Sequence, residues 1–269
     1  FNTDAIKDIK LYKGGIPARF GGRVASVLEI YQKDGNNSEF HMNGGIGLIS
    51  SRLLAEGPIK KDKGSFLVAG RGSYAHLFLK AADNNNSASF FDINSKLSWE
   101  FNDRSTLYFS NYIGKDYFSL GNIFNNEYGN NLVNARWNYI FNDKLFSNLS
   151  AVYSRYDYSL EEEIGNFRWK SSIDNSNLKY DFKYYKNENI VLNFGVQSHQ
   201  YWFNPGEIIP SDTNSGANYK KLEVRKAIEN AVYIEAEHKI NDKLTFQYGT
   251  RISAYSRIGA QTYNTYLND

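Results

Sequence analysis

"NLVNARWNYIFNDKLFSNLSAVYSRYDY" runs from Asn131 to Tyr158. In its first half Val133, Ala135, Trp137, Tyr139 and Phe141 fall on one side of an extended chain, and Asn134, Arg136 and Asn138 on the other. Successive side chains of a strand point to opposite faces, so this period of two gives one apolar and one polar face. Asn142 and Asp143 then break the pattern. Both residue types bond their own backbone and tolerate the left-handed conformation, which makes them turn formers. A second extended run follows from Leu145. The stretch reads as two long antiparallel strands joined by a tight turn.

The same device recurs along the chain. "GPIKKDKGS" (Gly57–Ser65), "FNDRST" (Phe101–Thr106), "YKNENI" (Tyr185–Ile190) and "INDKLT" (Ile240–Thr245) each end one extended run and start another. Between them lie longer polar stretches, read as long loops: "KAADNNNSAS" (Lys80–Ser89), "GNIFNNEYGNN" (Gly121–Asn131), "EEEIGNFRWK" (Glu161–Lys170) and "NPGEIIPSDTNSGANYKK" (Asn204–Lys221). Alternating short and long connections suit a sheet whose two ends face different compartments.

The facing pattern repeats in other runs. Phe91, Ile93, Leu97, Trp99 and Phe101 oppose Asp92, Asn94, Lys96 and Glu100. Leu178, Tyr180, Phe182 and Tyr184 oppose Asn177, Lys179, Asp181 and Lys183. Ile190, Leu192, Phe194 and Val196 oppose Asn193 and Gln197, and Val232, Ile234 and Ala236 oppose Glu235 and Glu237. Strands are expected at 38–47, 50–59, 65–78, 90–101, 106–117, 131–141, 145–158, 173–186, 190–203, 225–239 and 244–256. Such lengths exceed the usual mode of roughly 5–6 residues and match the ~9–11 tilted residues that span a bilayer. Aromatic residues, 16% of the chain, gather near run ends as the two girdles of a membrane barrel do. The expected fold class is therefore all-β, a transmembrane antiparallel β-barrel. An odd count of strands cannot close an antiparallel barrel, and an open edge in lipid leaves backbone groups unpaired. The chain is accordingly expected to be part of a longer one.

Composition narrows the functions. Lys+Arg 31 against Asp+Glu 29 lacks the basic excess of a nucleic-acid binder. Cysteine is absent, which excludes disulfides and thiolate metal sites. Mean hydropathy is −0.56, and no apolar run approaches the ~18 residues of a spanning helix. "GRGSYA" (Gly70–Ala75) mimics part of a dinucleotide fingerprint but sits within an expected strand with no helix after it. His41, His76, His199 and His238 are scattered singly, without metal-ligand spacing. "DNNN" (Asp83–Asn86) lacks the glycine and terminal glutamate of a calcium loop. No nucleophile elbow is present. No enzyme and no cofactor are expected.

One further segment carries a resemblance. "IKLYKGGIPARFGGRVASVLEIYQKDG" (Ile9–Gly35) resembles the end of the plug domain of TonB-dependent outer-membrane receptors, in which a Lys-Gly or Arg-Gly pair, a small residue and an aromatic-Gly pair precede an apolar strand. Lys13-Gly14, Ala18, Phe20-Gly21 and Val27, Leu28 and Ile30 fill those places, and "GGRVASVLEI" is similar to versions common in Bacteroidetes. "NGGIGLISSRLLAEGPIKKDKGSFLVAGRGSY" (Asn43–Tyr74) continues the likeness into the first barrel strands.

The resemblance implies a plug end over 1–37, the first half of a barrel over 38–269 and 22 strands in the whole protein. It implies tight plug turns at Gly14, Gly15, Gly21 and Gly22, with Phe20 anchoring apolar plug surface. It implies Arg19 and Arg23 locked to wall carboxylates, for which strand parity offers Glu56, Glu100, Glu235 and Glu237. The function implied is import of a scarce ligand (siderophore, cobalamin, glycan or peptide) from outside the bacterial outer membrane. The partners implied are outer-membrane lipids, the TonB-ExbB-ExbD energising complex and a surface lipoprotein. A non-transporting structural or assembly subunit, and a soluble β-sandwich lectin, remain as alternatives. Trp169, Tyr201 and Trp202 either stack on a ligand or belong to the girdles.

Overall fold

The computed structural model describes residues 2–22, 25–81, 85–121 and 123–259. A 3-10 turn at Thr3–Ala5 leads into β1 (Ile6–Tyr12) and β2 (Val27–Gln32), which pair with each other as a separate hairpin. There follow β3 (His41–Ile46), β4 (Ser50–Lys60), β5 (Gly64–Ser73), the helix α1 (Ala75–Ala81), β6 (Ser87–Asn102), β7 (Ser105–Leu120), β8 (Phe124–Asn142) and β9 (Leu145–Glu162). Then come β10 (Phe167–Asn187), β11 (Ile190–Pro210), the two-residue β12 (Lys220–Lys221), β13 (Arg225–Asn241) and β14 (Leu244–Ile258). From β3 to β14 they form one antiparallel sheet in chain order, with β12 beside the far end of β11. β3 and β14 are the two ends of this path, which does not close on itself.

The tight turns fall at the Asn-Asp and charged signals. Asn102, Asn142, Asn187 and Asn241 each cap their turn in the same way, Oδ1 accepting the backbone N–H two residues on at 2.9–3.0 Å. The opposite end differs from the sequence expectation. Much of Gly121–Asn131 and Glu161–Lys170 is strand rather than loop, and β11 runs on to Pro210. The extra length is carried by the strands. Beyond the apolar zone both faces of a strand meet water, so polar residues extend the ladder without an apolar period to announce it. The expected strand 65–78 also stops short, at Ser73. Ser73 Oγ accepts the Ala75 N–H at 3.2 Å, and "AHLFLKA" continues as helix.

The register assigns every residue to a face. Lys96, Glu235 and Arg251 reach the N-terminal segment, so their side of the sheet is the inner face. That one segment touches β4, β5, β6, β10, β13 and β14, whose outermost members would lie about 40 Å apart on a flat sheet at ~4.8 Å per strand. The sheet curls around it. On the outer face Leu97, Phe109, Trp137, Leu178, Val196, Val232 and Ile252 are all exposed, Ile252 at 69%. The inner apolar core, by contrast, is a small cluster of Ala5, Leu54, Leu67 and Ala69 under the 3-10 turn. A soluble sandwich would bury the large residues; exposing them over ten strands fits lipid. On β8 the outward apolar run spans Val133–Phe141; about nine residues, ~30 Å of strand, tilted by roughly 40° make a band close to the ~25 Å expected for an outer-membrane barrel. From its middle toward the tight turns the rings of Trp137, Tyr139, Phe141, Phe182 and Phe194 touch in series, with centroids 4.9–6.4 Å apart.

Past the band the polarity of the two faces exchanges. Lys115, Glu127, Arg155, Asp157, Arg168 and Glu161 take the outward positions and pair with one another, Lys115–Glu127 at 2.9 Å and Arg168–Glu161 at 2.8 Å. The inward positions carry rings, including Tyr128, Tyr156, Tyr158 and Trp169. This exchange marks where lipid ends.

Two substitutions on the outward row of β11 test the band. Phe194→Arg, within it, is expected to cost about 2–4 kcal/mol, the price of arginine at the midplane. Gln200→Arg, above it, is expected to cost only about 0–1 kcal/mol. Reversible unfolding of the full-length protein in lipid vesicles measures both; equal costs would contradict the facing assignment.

Candidate functional site

The inner face of a lipid-embedded sheet is polar, and charges in a confined lumen need partners. The N-terminal segment supplies them. Asp4 meets Arg52 at 3.2 Å, and Asp34 meets Lys96 at 2.6 Å. Lys96 also donates to the Gln32 carbonyl at 3.2 Å. Asn2, buried, donates through Nδ2 to the Gly70 carbonyl at 3.2 Å. These contacts fix the hairpin against β4, β5 and β6.

The loop between β1 and β2 reaches the other side of the sheet. Arg19 Nη1 lies 2.7 Å from Glu235 Oε1, and the Arg19 backbone N–H donates to Oε2 at 3.4 Å. Asn193 Nδ2 donates to the same carboxylate at 3.2 Å, and Arg19 Nη2 donates to Tyr12 Oη at 3.1 Å. The Glu235 side chain is 2% exposed and that of Arg19 26%. Burial pulls the Arg19 guanidinium down, but Glu235, with Tyr12 and Glu29, more than restores it, so its pKa rises above the ordinary arginine value. Phe20 packs at 5.7 Å from the Tyr12 ring, with Lys179 of β10 over its face.

Arg251 of β14 completes the contact. It donates to Gln197 Oε1 at 3.1 Å and to the Arg19 carbonyl at 3.5 Å, and it lies 3.8 Å from Glu229. Two glycines make this approach possible. A Cβ on Gly21 would collide with the Arg251 side chain. Gly22 has φ +71°, and a Cβ there would come 3.1 Å from Glu229 Oε1. A side chain at Gly21 would have to displace Arg251, and one at Gly22 would crowd Glu229 in a backbone conformation that favours glycine.

Of the four carboxylates offered by parity, Glu235 is brought to Arg19. Glu237, two residues further along the same inward row, stays exposed. Glu56 and Glu100 are half-buried on the inner face, with no ion pair among the described residues. Arg23 lies outside the described residues. Gly14 and Gly15 face open space, Gly15 at φ +59°. Trp169 and Tyr201 point inward beyond the band, Trp169 against Tyr158 at 5.8 Å and Tyr201 stacked on His199 at 5.5 Å, whereas Trp202 points outward. Sequence reading missed Arg251, Glu229, Lys96 and Arg52 as contacts. Glu229 shares the parity of Glu235 and Glu237, so the same rule carried three repeats of the pleat further would have found it.

A double-mutant cycle of Arg19→Gln and Glu235→Gln is expected to show a coupling between the ~1 kcal/mol ceiling of exposed pairs and the ~3–5 kcal/mol lost on breaking a fully buried one. Glu237→Gln is expected to show no coupling to Arg19. Gly21→Val should raise hydrogen exchange over residues 13–22 by displacing Arg251, while Gly14→Val, in open space, should not.

The fold has clear relatives. It is similar to the copper transporter OprC (TM-score 0.73, 10% identity, 94% of this chain and 43% of that one). It is similar to the pyoverdine outer membrane receptor FpvA from Pseudomonas aeruginosa PAO1 (TM-score 0.73, 13% identity, 96% and 47%). It is also similar to the siderophore receptor PirA from Acinetobacter baumannii (TM-score 0.68, 17% identity, 94% and 44%). No family model and no curated protein matches the chain in sequence. The chain spans less than half the length of these solved structures, and at such identities the likeness is one of fold alone, a β-barrel architecture.

Proposed function

We propose that residues 1–37 are the end of a plug, that 38–269 are the first half of the barrel around it, and that the whole protein is a TonB-dependent importer of the bacterial outer membrane. The observation that carries this reading is the N-terminal segment itself. It is held against the polar concave face of a sheet whose convex face is apolar, and Arg19–Glu235 ties it to the wall. A structural or assembly barrel has no need of such an occupant. Tight turns lie at the periplasmic end and the extended strands outside, as in outer-membrane barrels. The inward rings Tyr128, Tyr156, Tyr158, Trp169 and Tyr201 then line an external vestibule where a siderophore, cobalamin, glycan or peptide is received. The Bacteroidetes-like glycine segment favours a form that works with a surface lipoprotein. Energy from the TonB-ExbB-ExbD complex displaces the plug. Pairs of intermediate strength suit this role, because they hold at rest and yield to force.

Cells carrying the full-length protein, given labelled members of each ligand class, test the reading. One class is expected to bind at the surface regardless of energy and to accumulate only with an intact TonB complex and proton motive force. Surface binding without energy-dependent accumulation of any class would return the reading to a non-transporting subunit.

A further inference from the structure

The inner wall matches its cations to carboxylates almost one by one. Arg52 meets Asp4, Arg71 meets Asp92, Lys96 meets Asp34, Lys179 meets Asp181 and Arg251 meets Glu229. Arg136 on β8 and Lys183 on β10, both inward-facing, break this rule. Neither has a carboxylate at ion-pair distance among the described residues. Arg136 lies over the Tyr108 ring at 4.6 Å and Lys183 over Tyr185 at 4.9 Å.

Both face the same space, a cavity of about 900 Å³ between the hairpin and the wall near the tight turns. Lys10 of β1 and Arg104 of the β6–β7 turn also line it, again without carboxylate partners among the described residues; of the carboxylates that line it, Glu29 and Glu235 are taken by Arg19 and Asp181 by Lys179, and Glu237 stands exposed at its edge. Four buried polar atoms that lack hydrogen-bond partners belong to residues lining this cavity: Arg136 Nε, Asn138 Oδ1, Asp181 Oδ1 and Tyr233 Oη. Two can donate and two can only accept, which sets the chemistry of a partner. Unmatched guanidinium and ammonium groups call for an oxyanion, with arginine favouring a planar bidentate carboxylate or a phosphate. The orphaned acceptors Asn138 Oδ1 and Asp181 Oδ1 call for hydroxyl donors on the same molecule.

We propose that this cavity binds a hydroxylated oxyanion, a hydroxycarboxylate or sugar phosphate in chemical class, with Arg136 and Lys183 as its principal contacts. The cavity lies against Arg19 and Glu235. On the import reading, on which this part rests, its occupant is the carried solute on the way out, after the Arg19–Glu235 pair has parted.

Citrate, which carries carboxylates and a hydroxyl, is the probe, and sulfate, which has no hydroxyl, its comparison. Calorimetric titration of the full-length protein in nanodiscs is expected to show saturable citrate binding that weakens with salt, and weaker sulfate binding. Arg136→Gln with Lys183→Gln should reduce citrate affinity at least tenfold, and Arg136→Lys, which keeps the charge but not the fork, by less. Arg155→Gln, on the outer face, should leave it unchanged. Absent binding in the wild type, or equal binding in the Arg136/Lys183 double variant, would overturn the site; this arm needs no transport and stands apart from the import reading. Slower energy-dependent uptake, by that double variant, of the labelled ligand class that accumulates in the import assay supports the carried solute as occupant. Unchanged uptake despite lost citrate binding would overturn that assignment and leave a free periplasmic anion as the occupant.

Discussion

Lipid offers no hydrogen bonds, and this constraint orders the rest of the molecule. A sheet in a bilayer must pair its backbone groups internally and turn its apolar side chains outward. The outward row of each strand obeys within the band, and the inward row inherits the polar residues. A concave surface carrying Arg52, Lys96, Glu229, Glu235 and Arg251 then needs compensating charge. The N-terminal segment brings Asp4, Asp34 and Arg19 to three of them. Wall and segment are electrostatic complements before they are a packed interface.

The balance of forces at that interface is unusual for a stable contact. Its apolar part is little more than Ala5 against Leu54, Leu67 and Ala69, so separating segment from wall exposes little apolar surface. Most of the hold comes from charge pairs in a wet lumen, where water screens them in part and each contributes less than in a dry core. Glu235 is the strongest anchor because it is almost fully covered and accepts from both Arg19 and Asn193. An interface of this kind can be rigid at rest and still be parted without unfolding either side, which agrees with the proposed importing role.

The architecture was legible because its cause acts on every strand. Alternation in runs such as Ile190–Val196 gave the facing, and Asn-Asp pairs gave the turns, since each turn uses the same asparagine cap. The upper halves of β8, β9 and β10 were illegible, because outside lipid neither face is selected for apolarity. The charged outward row at Lys115, Arg155 and Arg168 followed from the same loss of constraint. At the site, parity narrowed the carboxylates to four but did not rank them. The distinction between Glu235 and Glu237 depends on where one loop ends in space, and two residues on one face of one strand carry no local mark of that. The crowding of Gly21 against Arg251 likewise joins positions far apart in sequence and adjacent only in the folded sheet.

The central claim is that the two faces of this sheet meet lipid and lumen respectively. Because the chain contains no cysteine, single cysteines can be placed at positions 191, 192, 193, 194, 196 and 197 of β11 in the full-length protein and labelled with an environment-sensitive fluorophore. Quenching by brominated lipids measures contact with the hydrocarbon directly. The account predicts strong quenching at 192, 194 and 196 and weak quenching at 191, 193 and 197, repeating with the pleat. Uniform quenching, or none at any of these positions, would contradict a barrel wall and with it the enclosed segment on which the functional reading rests.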